Sequence, residues 1–196
     1  DCLLSRGLGD VYKRQFLECV ADKPISYYAF EMLYWTGIRE GELLALTPAD
    51  SNFEKKTLRI NKSYQRLEGE DVITDPKTPK SNRTIVMPDF LAVEMEDFIN
   101  SLYGIRDDDR IFTISKSYLH HEMDRGAKLA GVKRIRIHGL RHSHISLLIN
   151  LGFSALAIGE RVGHEAVDIT YHYAHLFPTV QTDMAAQLET EREALV

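Results

Sequence analysis

At 196 residues, with 44% hydrophobic and 27% charged positions, the chain has the make-up of one globular domain large enough to bury a core, not of a disordered segment. No apolar run approaches the ~18 residues of a transmembrane helix and no stretch reads as a signal peptide, so no membrane partner is expected. Cys2 and Cys19 are the only cysteines, too few for a disulfide framework or a CxxC zinc site, which points to a reducing cytoplasm. The net charge of −5 argues against nucleic acid as a partner, yet the charge is unevenly placed. Six cations (Arg125, Lys128, Lys133, Arg134, Arg136, Arg141) and no acid lie between residues 125 and 141, whereas the last fourteen residues hold Asp183, Glu189, Glu191 and Glu193 against Arg192. That asymmetry fits either a basic working face on an acidic body or a merely solvated cationic stretch.

The first fifteen residues, DCLLSRGLGDVYKRQ, lack an initiator Met and a clear period. They look like a translated adapter-derived leader, so the domain is expected to begin at residue 16. From Ser26 to Leu46 apolar residues recur at helical spacing with a break at Thr36-Gly37, predicting one helix ended by Gly37 and another starting near Arg39. Pro48 makes LTPAD a loop. KTLRINKSY alternates apolar and polar residues as a strand does. DVITDPKTPKSNRTIVMP reads as two further strands joined by a turn holding Pro79, Ser81 and Asn82. Asp89 can cap a helix running to about Tyr103, and RIFTI is a short apolar stretch. Ser115 or Ser117 can open the next helix. IHGLRHSHISLLINLG is an amphipathic helix ended by Gly152. Ser154 caps another, with Gly163 as its stop, and Asp168 can open a last one. The expected fold class is α+β, mainly α-helical, with a small three-stranded antiparallel sheet.

Four stretches carry chemistry. TGIREGELLAL sets Arg39 and Glu42 three apart at a helix start, where the macrodipole disfavours a cation, so either Glu42 or a bound anion should hold the guanidinium. HGLRHSH sets His138 and Arg141 three apart, with His142 and His144 behind them. Those two histidines are expected to cap or line the core. A zinc site is a minor alternative, since there is no nearby Cys or HExxH glutamate. DPKTPKSNR presents Lys77 and Lys80 on a turn, where an ammonium can protonate a departing oxygen. GHEAVDITYHYAH places Tyr171 and Tyr173 downstream of His164; two residues apart on a helix they diverge by about 200°, so only one can enter a given site.

Taken together these stretches resemble the tyrosine recombinases, or phage-type integrases, whose catalytic domain shows TGxRxGEL, a hairpin Lys, HxLRHxxA, GH and a Tyr nine residues beyond that His. The matches fall in order from about residue 16 to the end. Ile145 stands where many members have Ala, a packing position. The resemblance implies Arg39, Lys80, His138, Arg141, His164 and the nucleophile Tyr173 as catalytic residues. Lys80 is preferred to Lys77, and Tyr173 to Tyr171, by family register. It further implies Glu42 supporting Arg39, and Arg83, Lys133, Arg134 and Arg136 contacting DNA. No metal or other cofactor is implied.

The activity so implied is site-specific recombination through a 3′-phosphotyrosine, independent of metal and ATP, for integration or excision of a mobile element. Partners would be double-stranded attachment-site DNA and three further copies in a homotetramer on DNA, the chain being monomeric in isolation, with accessory DNA-bending or directionality proteins. The family's N-terminal DNA-binding domain is expected to be missing, and residues 177–196 to be exchanged between protomers. The location implied is the cytoplasm, at the nucleoid when on DNA. A DNA-relaxing topoisomerase, a non-catalytic DNA-binding regulator and a metal-dependent hydrolase are the competing readings.

Overall fold

The computed structural model describes residues 10–76 and 81–163, together with residues 168, 172, 173, 188, 190 and 192. Lys77, Lys80, His164 and Tyr171, the first nine residues of the expected leader and most of the expected exchanged segment lie outside them. Among the described residues, helices α1 (Asp10–Glu18), α2 (Pro24–Thr36) and α3 (Glu40–Ala45) come first. Five short strands follow: β1 (Ser51–Asn52), β2 (Thr57–Ile60), β3 (Ser63–Leu67), β4 (Glu70–Thr74) and β5 (Arg83–Val86). Helices α4 (Asp89–Ser101), α5 (Lys116–Ala130), α6 (Ile137–Asn150) and α7 (Ala155–Val162) complete the set. None of these helices is long and apolar enough to cross a membrane.

The helix boundaries follow local chemistry. Gly37 ends α2 in the left-handed region (φ 66°), its N–H reaching Leu33 O. A Cβ there would also lie 2.5 Å from His144 Cδ2, so the glycine lets α2 and α6 approach closely. The Ser115 and Ser154 side chains accept from the backbone N–H of Tyr118 and Ala157, capping α5 and α7. Gly163 ends α7 at φ 72°.

The expected three-stranded antiparallel sheet is present, but its strands are not the ones predicted. KTLRINKSY is two strands, not one: β2 ends at Ile60 and β3 begins at Ser63, and between them Lys62 Nζ lies 2.6 Å from the buried Asp50 carboxylate. One antiparallel sheet runs β1-β2-β5, with Ile60 opposite Arg83. The strands β3 and β4 form a separate hairpin instead of feeding β5. Its turn puts both Glu68 (φ 51°) and Gly69 (φ 90°) at positive φ, the twist a two-residue hairpin needs. Glu-Gly is a weak form of that signal, which is why the pattern did not announce it.

The helix α1 also begins earlier than the lack of period in the first fifteen residues suggests. Tertiary contacts supply what periodicity does not. Lys13 Nζ lies 3.1 Å from Glu31 Oε1 and 4.0 Å from the centre of the Trp35 ring, and Phe16 packs edge-on against Phe30 at 4.9 Å. Phe16 is fully buried, a contribution of roughly 1.5–3 kcal/mol. The main core joins α1 to α5, the sheet and the start of α6. A second, smaller cluster of Ile145, Ile149, Ile158 and Val162 packs around Tyr173.

Candidate active site

Arg39 is the N-cap residue of α3, with extended backbone. Glu42, one turn on, holds it twice: its carboxylate accepts from Arg39 N and from Arg39 Nη1, each at 2.8 Å. The same carboxylate accepts from Arg83 Nη2 at 2.9 Å and Arg83 Nη1 at 3.1 Å. Burial pushes the Glu42 pKa up, but the hydrogen bonds and charge of Arg83, then those of Arg39, outweigh it and leave it lowered. Arg83 goes on to bond the carbonyls of Arg161 and Ser81, both at 2.9 Å. Its Nε, Nη1 and Nη2 are all bonded to groups of the protein, which corrects the expectation that Arg83 faces DNA.

Arg39 keeps about a third of its side chain exposed (35%). Its Nη1 lies 3.4 Å from Ser81 Oγ, in the residue after Lys80, and its Nη2 3.3 Å from Gly163 O, in the residue before His164. Arg141, on α6, is buried. Its Nη1 donates to Gly37 O (2.6 Å) and its Nη2 to Val162 O (2.5 Å), so one cation serves the carbonyl ends of both α2 and α7. Burial, then the charge of Arg39, depress its pKa to about 9, which still leaves it cationic at neutral pH. Its Nε has no partner among the described residues.

His138 and His142 occupy one face of α6, one turn apart, with their rings edge-on at 4.9 Å. Partial burial first, then the charges of His142, Arg141 and Arg39, push the His138 pKa down to about 4, so this imidazole is neutral at pH 7 although the residue as a whole is exposed. The Tyr173 hydroxyl, in a side chain 5% exposed, is hydrogen-bonded to His142 Nδ1. His142 was expected to line the core; it meets the tyrosine instead, and among the described residues no bond from His138 to that hydroxyl is present. The shared face of residues 138 and 142 was the signal available in the sequence. His144 is buried as expected and accepts from Arg161 Nε at 3.0 Å, which fastens α7 to α6. Lys133, Arg134 and Arg136 are exposed on the segment before α6, and Arg134 is partnered by Asp124 at 2.6 Å.

The described residues thus bring Arg39, Glu42, Arg83, Arg141, His138, His142 and Tyr173 into one cluster. Two guanidiniums share the Glu42 carboxylate there and a third, Arg141, lies close by, with neutral His138 beside them. Such a centre can hold a multiply bonded anion and bring a phenol to it without metal.

Residues 13–179 match the model of the phage integrase family. The ICEBs1 integrase of Bacillus subtilis (strain 168) is 31% identical, the match covering 90% of this chain and 52% of that protein. A XerC-like tyrosine recombinase of Caldanaerobacter subterraneus subsp. tengcongensis is 28% identical, over 81% of this chain and 48% of its own length. The chain therefore spans about half the length of these curated relatives. Among solved structures, the Tn1549 transposon integrase in complex with a circular intermediate DNA aligns with a TM-score of 0.75 at 22% identity, over 95% of this chain and 65% of that one, a likeness of fold.

Proposed function

The chain belongs to the phage integrase family, and from that premise we propose that it carries the strand-cutting and rejoining centre of a site-specific DNA recombinase of a mobile element. The observation that carries this reading is a buried tyrosine hydroxyl held by an imidazole beside a cluster with more guanidiniums than carboxylates.

A neutral phenol, with a pKa near 10, is a weak nucleophile at neutral pH and needs both a proton acceptor and an electrophile stripped of charge. In this reading Tyr173 Oη attacks a DNA phosphodiester, giving a 3′-phosphotyrosine and a 5′-hydroxyl. Charge accumulates on the non-bridging oxygens, and Arg39 and Arg141 face it. The Glu42 carboxylate fixes the Arg39 fork, while the carbonyl bonds of Arg141 commit two of its five N–H groups and leave the rest for the phosphate. His164 is assigned as a further donor, Lys80 as the acid for the departing 5′-oxygen, and neutral His138 to assisting proton transfer at the tyrosine. Lys133, Arg134 and Arg136 supply backbone contacts to the duplex. The covalent link conserves the phosphodiester's free energy, so a second 5′-hydroxyl can rejoin the strand without ATP. Four copies acting on two DNA sites belong to the same proposal.

The test is a nicked attachment-site duplex incubated with the protein in EDTA and resolved on a denaturing gel. A covalent adduct formed by the wild type and lost in Tyr173→Phe is expected. DNA binding without any adduct would instead indicate a regulator, and an adduct that persists in Tyr173→Phe would remove this tyrosine as nucleophile.

A further inference from the structure

Resting on the reading of Tyr173 as nucleophile, we propose that His142 is the catalytic base that removes the Tyr173 proton. His142 is the described imidazole at that hydroxyl. The tyrosine ring is seated among Ile145, Ile149, Ile158 and Val162, which holds the phenol on α6 at the level of His142. A neutral imidazole carrying its proton on Nε2 presents Nδ1 as an acceptor, and the phenol O–H donates to it. The His138 ring meets the His142 ring edge-on, with centroids 4.9 Å apart. The depressed basicity of His138 keeps that neighbour uncharged, so it places no full positive charge against the imidazolium His142 must become.

The step balances within the groups already named. As Tyr173 Oη bonds to phosphorus, its proton passes to His142 Nδ1, the P–O5′ bond breaks, and the 5′-oxygen takes a proton from the acid assigned to Lys80. On rejoining, a 5′-hydroxyl attacks phosphorus and returns its proton to Lys80. The P–Oη bond then breaks, and Oη recovers the proton held on His142. No metal, oxidant or further reactant is consumed.

The experiment measures single-turnover adduct formation on the nicked attachment-site duplex for the wild type, His142→Ala, His142→Asn and Tyr173→Phe. It is repeated on the same duplex with sulfur in place of the bridging 5′-oxygen, a leaving group that needs no proton. An Asn amide oxygen can accept the phenol hydrogen bond but cannot take its proton. Both His142 variants are therefore expected to slow adduct formation on the order of 10²-fold or more on either substrate, while a Lys80 variant recovers on the sulfur substrate. A near wild-type rate for His142→Asn would overturn the proposal, since a hydrogen-bond acceptor alone would then suffice. Recovery of the His142 variants on the sulfur substrate would also overturn it, by moving the defect to the leaving group. If His142→Ala fails to fold, His142→Asn carries the test by itself. An adduct in Tyr173→Phe would overturn the underlying assignment of the nucleophile instead.

Discussion

Two buried glutamates, Glu42 and Glu122, are each gripped by cations from distant parts of the chain, and their difference separates a rivet from a working site. Glu122 on α5 accepts from Lys23 Nζ (2.7 Å), Ser26 Oγ (3.1 Å) and Arg125 Nη2 (2.7 Å), and Arg125 also bonds Asp22, through Nη2 at 2.8 Å and Nη1 at 3.1 Å. Burial pushes the Glu122 carboxyl up, but these hydrogen bonds prevail and hold it at about 2. There the two cations are matched by two carboxylates, so the cluster is closed and ties α5 to the start of α2. At Glu42 two guanidiniums share one carboxylate, a third lies close by in Arg141, and about a third of the Arg39 side chain stays exposed. Buried ion pairs contribute little net stability unless every group is satisfied. An uncompensated excess of positive charge, kept at that cost, is the mark of a place that receives an anion.

The contrast can be broken by mutation, starting with the largest effect. Glu42→Ala leaves Arg39 and Arg83 facing each other without their carboxylate, and is expected to cost roughly 3–5 kcal/mol in urea unfolding as well as most of the cleavage rate. Unchanged adduct formation in that variant would mean Glu42 is no more than a second rivet. Next comes Arg39→Lys, which keeps the charge but not the fork; cleavage should fall roughly 10²–10³-fold while the unfolding midpoint barely moves. Glu122→Gln should do the opposite, lowering stability by about 1.5–3 kcal/mol, the worth of hydrogen bonds to a charged group, with cleavage unchanged at temperatures where the variant is folded.

The smallest effect is the pH dependence of that last difference. The folded pKa of Glu122 lies below its ordinary value of 4.5, so its stabilisation is fully present above that value and is lost as the pH falls towards about 2. Melts of wild type and Glu122→Gln between pH 6 and 2.5 should therefore converge on acidification. A gap that stays constant with pH would show that the carboxylate charge is not what Glu122 contributes.

How far the sequence alone could be read depended on how local each feature is. The stop at Gly37, the caps at Ser115 and Ser154 and the stop at Gly163 involve atoms at most four residues apart, and all four were legible. The β3–β4 hairpin was missed because its Glu-Gly turn carries a weak signal and KTLRINKSY alternates without interruption. Between its two strands Lys62 reaches the buried Asp50 carboxylate, twelve residues back, a contact that residue spacing does not reveal. The start of α1 was missed because its support lies in Glu31, Trp35 and Phe30 of the next helix.

The same distinction runs through the candidate site. Sequence by itself determined the inventory of reactive side chains and, because spacing within a helix fixes which residues share a face, that His138 and His142 lie together on α6; the family came from the resemblance of its motifs, taken in order, to the phage-type integrases. Only the tertiary structure decided that Arg83, forty-one residues from Glu42, closes the carboxylate rather than facing DNA, and that the imidazole at the Tyr173 hydroxyl belongs to His142 and not His138. A hydrogen bond is made or lost within about half an ångström, and that precision comes from the packing of whole elements, not from residue spacing along the chain.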